Sequence, residues 1–191
     1  MRAPTHKDPG YGVLVDKIVS AQSSLIPYMS SFLSNQRIWV CTTYVDHVND
    51  YVYVHRMQYL SLSVTILAKV VMEKIMAQAG QTVNHYQANN RIFSYNVFAN
   101  TISEKNQRLT FYGVGAHHQN GIIENKNKIL TTGAITLVLH GIRMWPQNID
   151  EIFWPFSIKS MAKILKSFKI DLKDITPESI LHGIEVEYIF Q

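Results

Sequence analysis

The stretch GVGAHHQNGIIENKNKIL, Gly113 to Leu130, changes character half-way along. Its first half is polar and punctuated by glycine, which predicts a flexible loop over GVGAHHQNG. Its second half begins a helical pattern predicted to run from about Asn120 to Ile142. Ile123, Leu130, Ala134, Leu137 and Val138 form the apolar stripe. Gly133 weakens that helix locally, and Trp145-Pro146 ends it. A second helix is expected over Ile149 to Phe168, where Lys159, Lys163 and Lys166 lie opposite Ile158, Met161, Ala162 and Leu165. The lysines read as a solvated basic face. Trp145, Phe153, Trp154 and Phe156 read as core or contact aromatics.

Upstream of the loop the period is shorter. Pro9-Gly10 signals a turn before a strand over Tyr11 to Asp16. The serine-rich segment Ser20 to Asn35, containing Pro27, reads as a connection. RIWVCTTYVD (Arg37 to Asp46) and YVYVHRM (Tyr51 to Met57) are β-branched and aromatic, and the polar HVND between them predicts a hairpin. The period then becomes helical through Ser61 to Gly80, with Ile66, Val70, Glu73 and Ala77 beside Leu67, Val71 and Lys74, and Gly80 at the C-cap. TVNHY, a helix over Ile92 to Asn100, and the strand RLTFYG complete the order. Such an alternation predicts an α/β fold: a mixed sheet flanked by helices, its first strands forming a meander.

The bulk numbers fit that class. The 191 residues suffice for one packed domain, and 47% hydrophobic with 17% charged residues are globular values. A net charge of +4 suits a phosphate-bearing partner without requiring one. Cys41 is the only cysteine, so neither an internal disulfide nor a paired-cysteine zinc site can form within these residues. Lys69 and Lys74 interrupt the best apolar run, and no membrane span is expected.

Acids stand where ligands gather in α/β sheets. Asp16 closes the first predicted strand, Asp46 closes the second, and Glu124 falls in the first turn of the long predicted helix. Each also has a structural explanation, because Asp caps turns and Glu suits a helix start. His117 and His118 lack a third ligand at zinc spacing and read as loop residues beside the site.

Together, VDKIVS (Val15 to Ser20), YVDHVNDYVYVHRM (Tyr44 to Met57), YQANNRIF and above all AHHQNGIIENKNK resemble the integrase catalytic core of copia-type LTR retrotransposons. LVLHGIRMWPQNIDEIFWPFSIKSMA (Leu137 to Ala162) and TPESILHGIEVE (Thr176 to Glu187) resemble the segments that follow that core. The resemblance implies an RNase H-like fold, with a tail over residues 1–8, the core over 9–145 and a C-terminal helical extension over 146–191. It implies DNA integration by two-metal phosphoryl transfer, with Mg²⁺ or Mn²⁺ as cofactor, DNA as partner, possible homo-oligomers and a nuclear location. The chain then reads as a fragment of a larger polyprotein, or as a gene remnant that begins at an internal methionine.

The family's first aspartate falls on Asp16 and its glutamate on Glu124, making both the implied metal ligands. Its second aspartate falls on Asn89, with 34 residues between Asn89 and Glu124, close to the family spacing. Arg91 replaces a glycine of the family pattern. Three carboxylates would set −3 against the +4 of two divalent ions; with Asn89 the count is −2. A neutral amide is a poor substitute where Mg²⁺ must surrender water, so the resemblance implies a degenerate, impaired site. Asp46 is no obvious replacement. Asn120, Lys126, Asn127 and Lys128 are the implied DNA contacts, with Asn127 and Lys128 at i+3 and i+4 from Glu124. The competing expectation is a non-catalytic nucleic-acid-binding or protein-interaction domain on the same fold.

Overall fold

The computed structural model describes residues 9–27, 33–88, 92–112, 117–168 and 175–183. Within them run β1 (Gly12–Pro27), β2 (Leu33–Asp46), β3 (Val52–Met57), α1 (Leu62–Gln78), β4 (His85–Ala88), α2 (Asn96–Ser103), β5 (Arg108–Phe111), α3 (His117–Met144), α4 (Trp154–Ser167) and α5 (Pro177–His182). The five strands form one sheet in the order β3-β2-β1-β4-β5. β1, β2 and β3 are an antiparallel meander, and β4 and β5 continue parallel to β1. This is the mixed sheet expected from the sequence.

β1 is central because its residues can be buried on both faces. Val13, Leu14 and Val15 are all buried, and alternation sends them to opposite sides. Val13 and Val15 pack with Ala68, Met72 and Met76 of α1, with Phe93 and Phe98, and with Leu181 of α5. Leu14 packs with Cys41, Val45 and Val54, with Ile123, Leu130 and Ala134 of α3, and with Ile158 and Ala162 of α4. The last two helices thus join the cores on either side of the sheet.

Four expectations need correction. The segment from Ser20 is not a connection: β1 runs on to Pro27 and β2 starts at Leu33, paired across register shifts after Val19 and Leu25. Backbone pairing tolerates the serines, and Pro27 sits at the strand's end, where its missing N–H is least disruptive. The buried face of α1 is Thr65, Ala68, Lys69, Met72 and Met76, one face round from the predicted stripes. Apolar residues surround this helix, so periodicity alone does not select a face. The helix expected from Ile92 is a 3-10 turn (Ile92–Ser94) followed by α2, with Phe93 and Phe98 in edge contact at 5.3 Å. Trp145 is exposed rather than in the core.

α3 keeps its predicted stripe, with Ile123, Leu130, Ala134 and Val138 buried. Gly133 is explained by packing: a Cβ there would run into the Met161 sulfur, so its absence lets α4 approach closely.

Lys69 is almost fully buried and carries a charge into the core. It lies 2.8 Å from Glu73 and over the Tyr86 ring at 5.4 Å. Glu73 also accepts from Tyr86 (2.9 Å), Gln107 (2.7 Å) and Lys105 (2.6 Å). Burial pushes the Glu73 carboxyl upward, but the hydrogen bonds from Lys105, Lys69 and Gln107 outweigh it and bring it down to about 2. Glu73→Gln strands the Lys69 charge and is expected to destabilise the fold by roughly 3–5 kcal/mol in urea unfolding at pH 7. Because the folded pKa lies below the ordinary 4.5, the wild-type contribution is complete above that value. It fades as pH falls toward about 2, and the Gln variant should lose this part of the acid dependence.

Candidate functional site

Asp16 lies inside β1 rather than at its end, and pairs with Thr43 of β2. It shares a sheet face with Leu14, so it points toward α3. There Asn127 Nδ2 donates to Asp16 Oδ2 at 3.1 Å. α3 begins at His117, three residues earlier than expected, so Glu124 sits about two turns in rather than in the first turn. Ile123 is buried against the sheet while Glu124 is exposed on the flank of the helix. Glu124 and Asn127, three residues apart, are neighbours on one helix surface.

Tyr112 connects these groups. It follows β5 directly, and its N–H donates to the Ala88 carbonyl at 3.3 Å. Burial first, then the negative charges of Asp16 and Glu124, raise its phenol above the usual range. Both carboxylates therefore act on one buried side chain. The parallel register pairs Val15 with Ala88, the residue before Asn89; Asn89 itself lies outside the described residues. The ends of β4 and β5 thus meet β1 beside Asp16, as strand-end logic requires.

The other candidates separate. Lys126 reaches Asp50 Oδ2 at 3.1 Å, tying α3 to the β2–β3 turn. Asp50 holds φ at +61°, a left-handed conformation that Asp and Asn tolerate. Lys128 is exposed beyond Glu124. Asn120 lies in the first turn of α3, but its side chain, like those of His117 and His118, is outside the described residues. Lys17, next to Asp16, points to the opposite face, 2.7 Å from Thr65 Oγ1 and over the Phe93 ring.

Asp46 is built into the scaffold. Its carboxylate accepts from the Gly10 N–H and from the Val48 N–H at 2.8 Å. Burial raises its carboxyl, against the opposing pull of these amides.

Sequence reasoning missed Tyr112 and Asp50. Tyr112 falls inside the predicted strand RLTFYG and carries no signal of its own there; nothing in the sequence pairs Asp50 with Lys126.

Asp16 and Glu124 supply hard carboxylate oxygens, a donor set that fits a divalent cation completed by substrate phosphates. Among the described residues, no group of three His, Cys, Asp or Glu side chains gathers for a metal.

No protein-family model matches the chain, and no curated protein sequence does. Solved structures do match. The HTLV-2 integrase catalytic core domain in complex with magnesium superposes with a TM-score of 0.62 at 15% identity, covering 92% of this chain and 98% of that one. The fold is that of an integrase catalytic core, of the RNase H-like class. The BIV integrase core gives 0.63 at 10% identity, covering 91% of this chain and 95% of that one. A chain of the simian T-cell lymphotropic virus intasome, in complex with a PP2A regulatory subunit, gives 0.68 at 14% identity. That match covers all of this integrase-like chain but 60% of the viral one. The HTLV-2 core is known in both trimeric and dimeric forms. Among the described residues, no helix is long and apolar enough to cross a membrane.

Asp46→Ala is expected to cost roughly 2–4 kcal/mol in urea unfolding, because two amides lose their acceptor. A stability change under about 0.5 kcal/mol would remove Asp46 from the scaffold.

Proposed function

We propose that the chain is a copia-type retrotransposon integrase core whose family reaction is DNA integration by metal-assisted phosphoryl transfer, and that Asn89 impairs it. One observation carries this reading: within an integrase-like fold, Asp16 of the central strand faces α3, where Asn127, three residues after Glu124, donates to its carboxylate at 3.1 Å. Asp16 and Glu124 would hold Mg²⁺ or Mn²⁺, which supplies activation of a water or 3′-hydroxyl and stabilisation of the leaving oxygen. Asn127 holds Asp16 in orientation through its amide. Lys128, with Asn120, Lys126 and Asn127, forms the surface proposed to meet DNA phosphates, placing the substrate beside the carboxylates. Such a domain would work in the nucleus, as part of a larger assembly.

The test is 3′-end processing and strand transfer with Mg²⁺ and Mn²⁺. Wild type should stay near background. Asn89→Asp should raise turnover at least tenfold, and adding Asp16→Ala should abolish the gain. Robust wild-type activity that requires Asp16 would overturn the impairment. DNA binding with a steep salt slope, indifferent to metal and to Asn89→Asp, would instead favour a non-catalytic binding domain.

The Lys126–Asp50 pair generates a second expectation. Asp50→Asn keeps the left-handed backbone but releases Lys126, and should tighten DNA binding about twofold to fivefold at low salt. Fluorescence anisotropy measures this, and Lys126→Ala should erase the difference.

A further inference from the structure

Tyr112 is placed where three parts of the site converge. Its N–H is anchored to Ala88 at the end of β4. Its ring packs in the cluster that holds Leu14, two residues before Asp16, and Ile123, one residue before Glu124. Its hydroxyl is sealed from solvent and has no hydrogen-bond partner among the described residues; the same holds for the Asn127 amide oxygen. Leaving a buried hydroxyl unpaired costs about 1–3 kcal/mol, and phenylalanine would fill the same space without it. Ionised carboxylates only accept hydrogen bonds, while a phenol can donate one. The negative charges of Asp16 and Glu124 act on the phenol.

We infer that Tyr112 is a positioning residue: when the two-carboxylate site takes a divalent cation, its hydroxyl donates to one carboxylate and aims the free oxygen lone pairs at the ion. The inference rests on the cation-holding reading of Asp16 and Glu124. Asn127 already does this for one oxygen of Asp16, and Tyr112 supplies a second donor from the sheet side. Such outer donors fix ligand orientation and change metal affinity by about 10–100-fold. Tyr112 keeps its ring in the core in either state, so only the hydroxyl must gain a partner.

The experiment is calorimetric titration of the full chain with Mn²⁺. Tyr112→Phe should weaken Mn²⁺ binding at least about tenfold while leaving the melting temperature unchanged or higher. A merely structural role would lower the melting temperature and spare the affinity. Mn²⁺ should also perturb tyrosine absorbance in the wild type, and this signal should vanish in the variant; the wild-type signal serves as a test even if Tyr112→Phe fails to fold. Wild-type Mn²⁺ binding that needs Asp16 but is unchanged by Tyr112→Phe, or leaves tyrosine absorbance unmoved, overturns the positioning role alone. Absent binding, or binding indifferent to Asp16→Ala, overturns the cation reading and this inference together.

Discussion

The buried Asp46 carboxylate sets the register on which everything else depends. It gathers the N–H groups of Gly10 and Val48, clamping the approach to β1 against the end of β2. Gly10 adopts φ +82°, and a Cβ there would stand 2.9 Å from the Thr82 carbonyl oxygen, so only glycine fits the clamp. The clamp opposes Val13 to Asp46 and hence Asp16 to Thr43. A slip of one residue would exchange the faces of Asp16 and Lys17. The carboxylate would then meet α1, and the lysine would meet α3. The charge that defines the site is therefore correctly placed by a second acid that takes no part in it.

The two faces of the sheet divide the work. On one, Lys69, Lys105, Gln107 and Tyr86 gather round the Glu73 carboxylate. On the other, around Asp16, the Tyr112 hydroxyl, the Asn127 amide oxygen and the hydroxyl of Thr43, its cross-strand partner, are buried and unpaired among the described residues. Proteins satisfy nearly all buried polar groups, so unpaired ones concentrate interest where they occur.

Much of this was legible in the sequence, for identifiable reasons. Val13 to Val15, the HVND hairpin and the stripe of α3 each carry one dominant period, and each element formed where that period placed it. α1 carries apolar residues on several faces, so its buried face was decided by packing: Lys69, paired locally with Glu73, goes inward beneath the Tyr86 ring, a contact made only in three dimensions. β1 and β2 extend through serines because their partner is each other's backbone, which side-chain pattern does not report. Asp16 and Glu124 were visible as acids near element ends, yet their true settings, within a strand and two turns into a helix, depend on extensions of those elements. Their common neighbour Tyr112 depends on β5 meeting β4, a long-range pairing with no local signal.

On the proposed reading, an amide at position 89 where the family carries an acid would change more than metal affinity. Acids that hold a cation also repel a phosphodiester, and the metal normally hides that repulsion. On that reading the site would carry less negative charge toward DNA while the chain keeps its net +4. Chemistry and binding would then respond in opposite directions to the same substitution: the metal would lose a ligand, and the polyanion would lose an opponent. Lys126 is the counterpart on α3, since its charge is partly spent on Asp50 at 3.1 Å. On that reading an integrase-like fold would be weighted toward holding DNA, because the group replaced is one that the reaction needs and the contact does not.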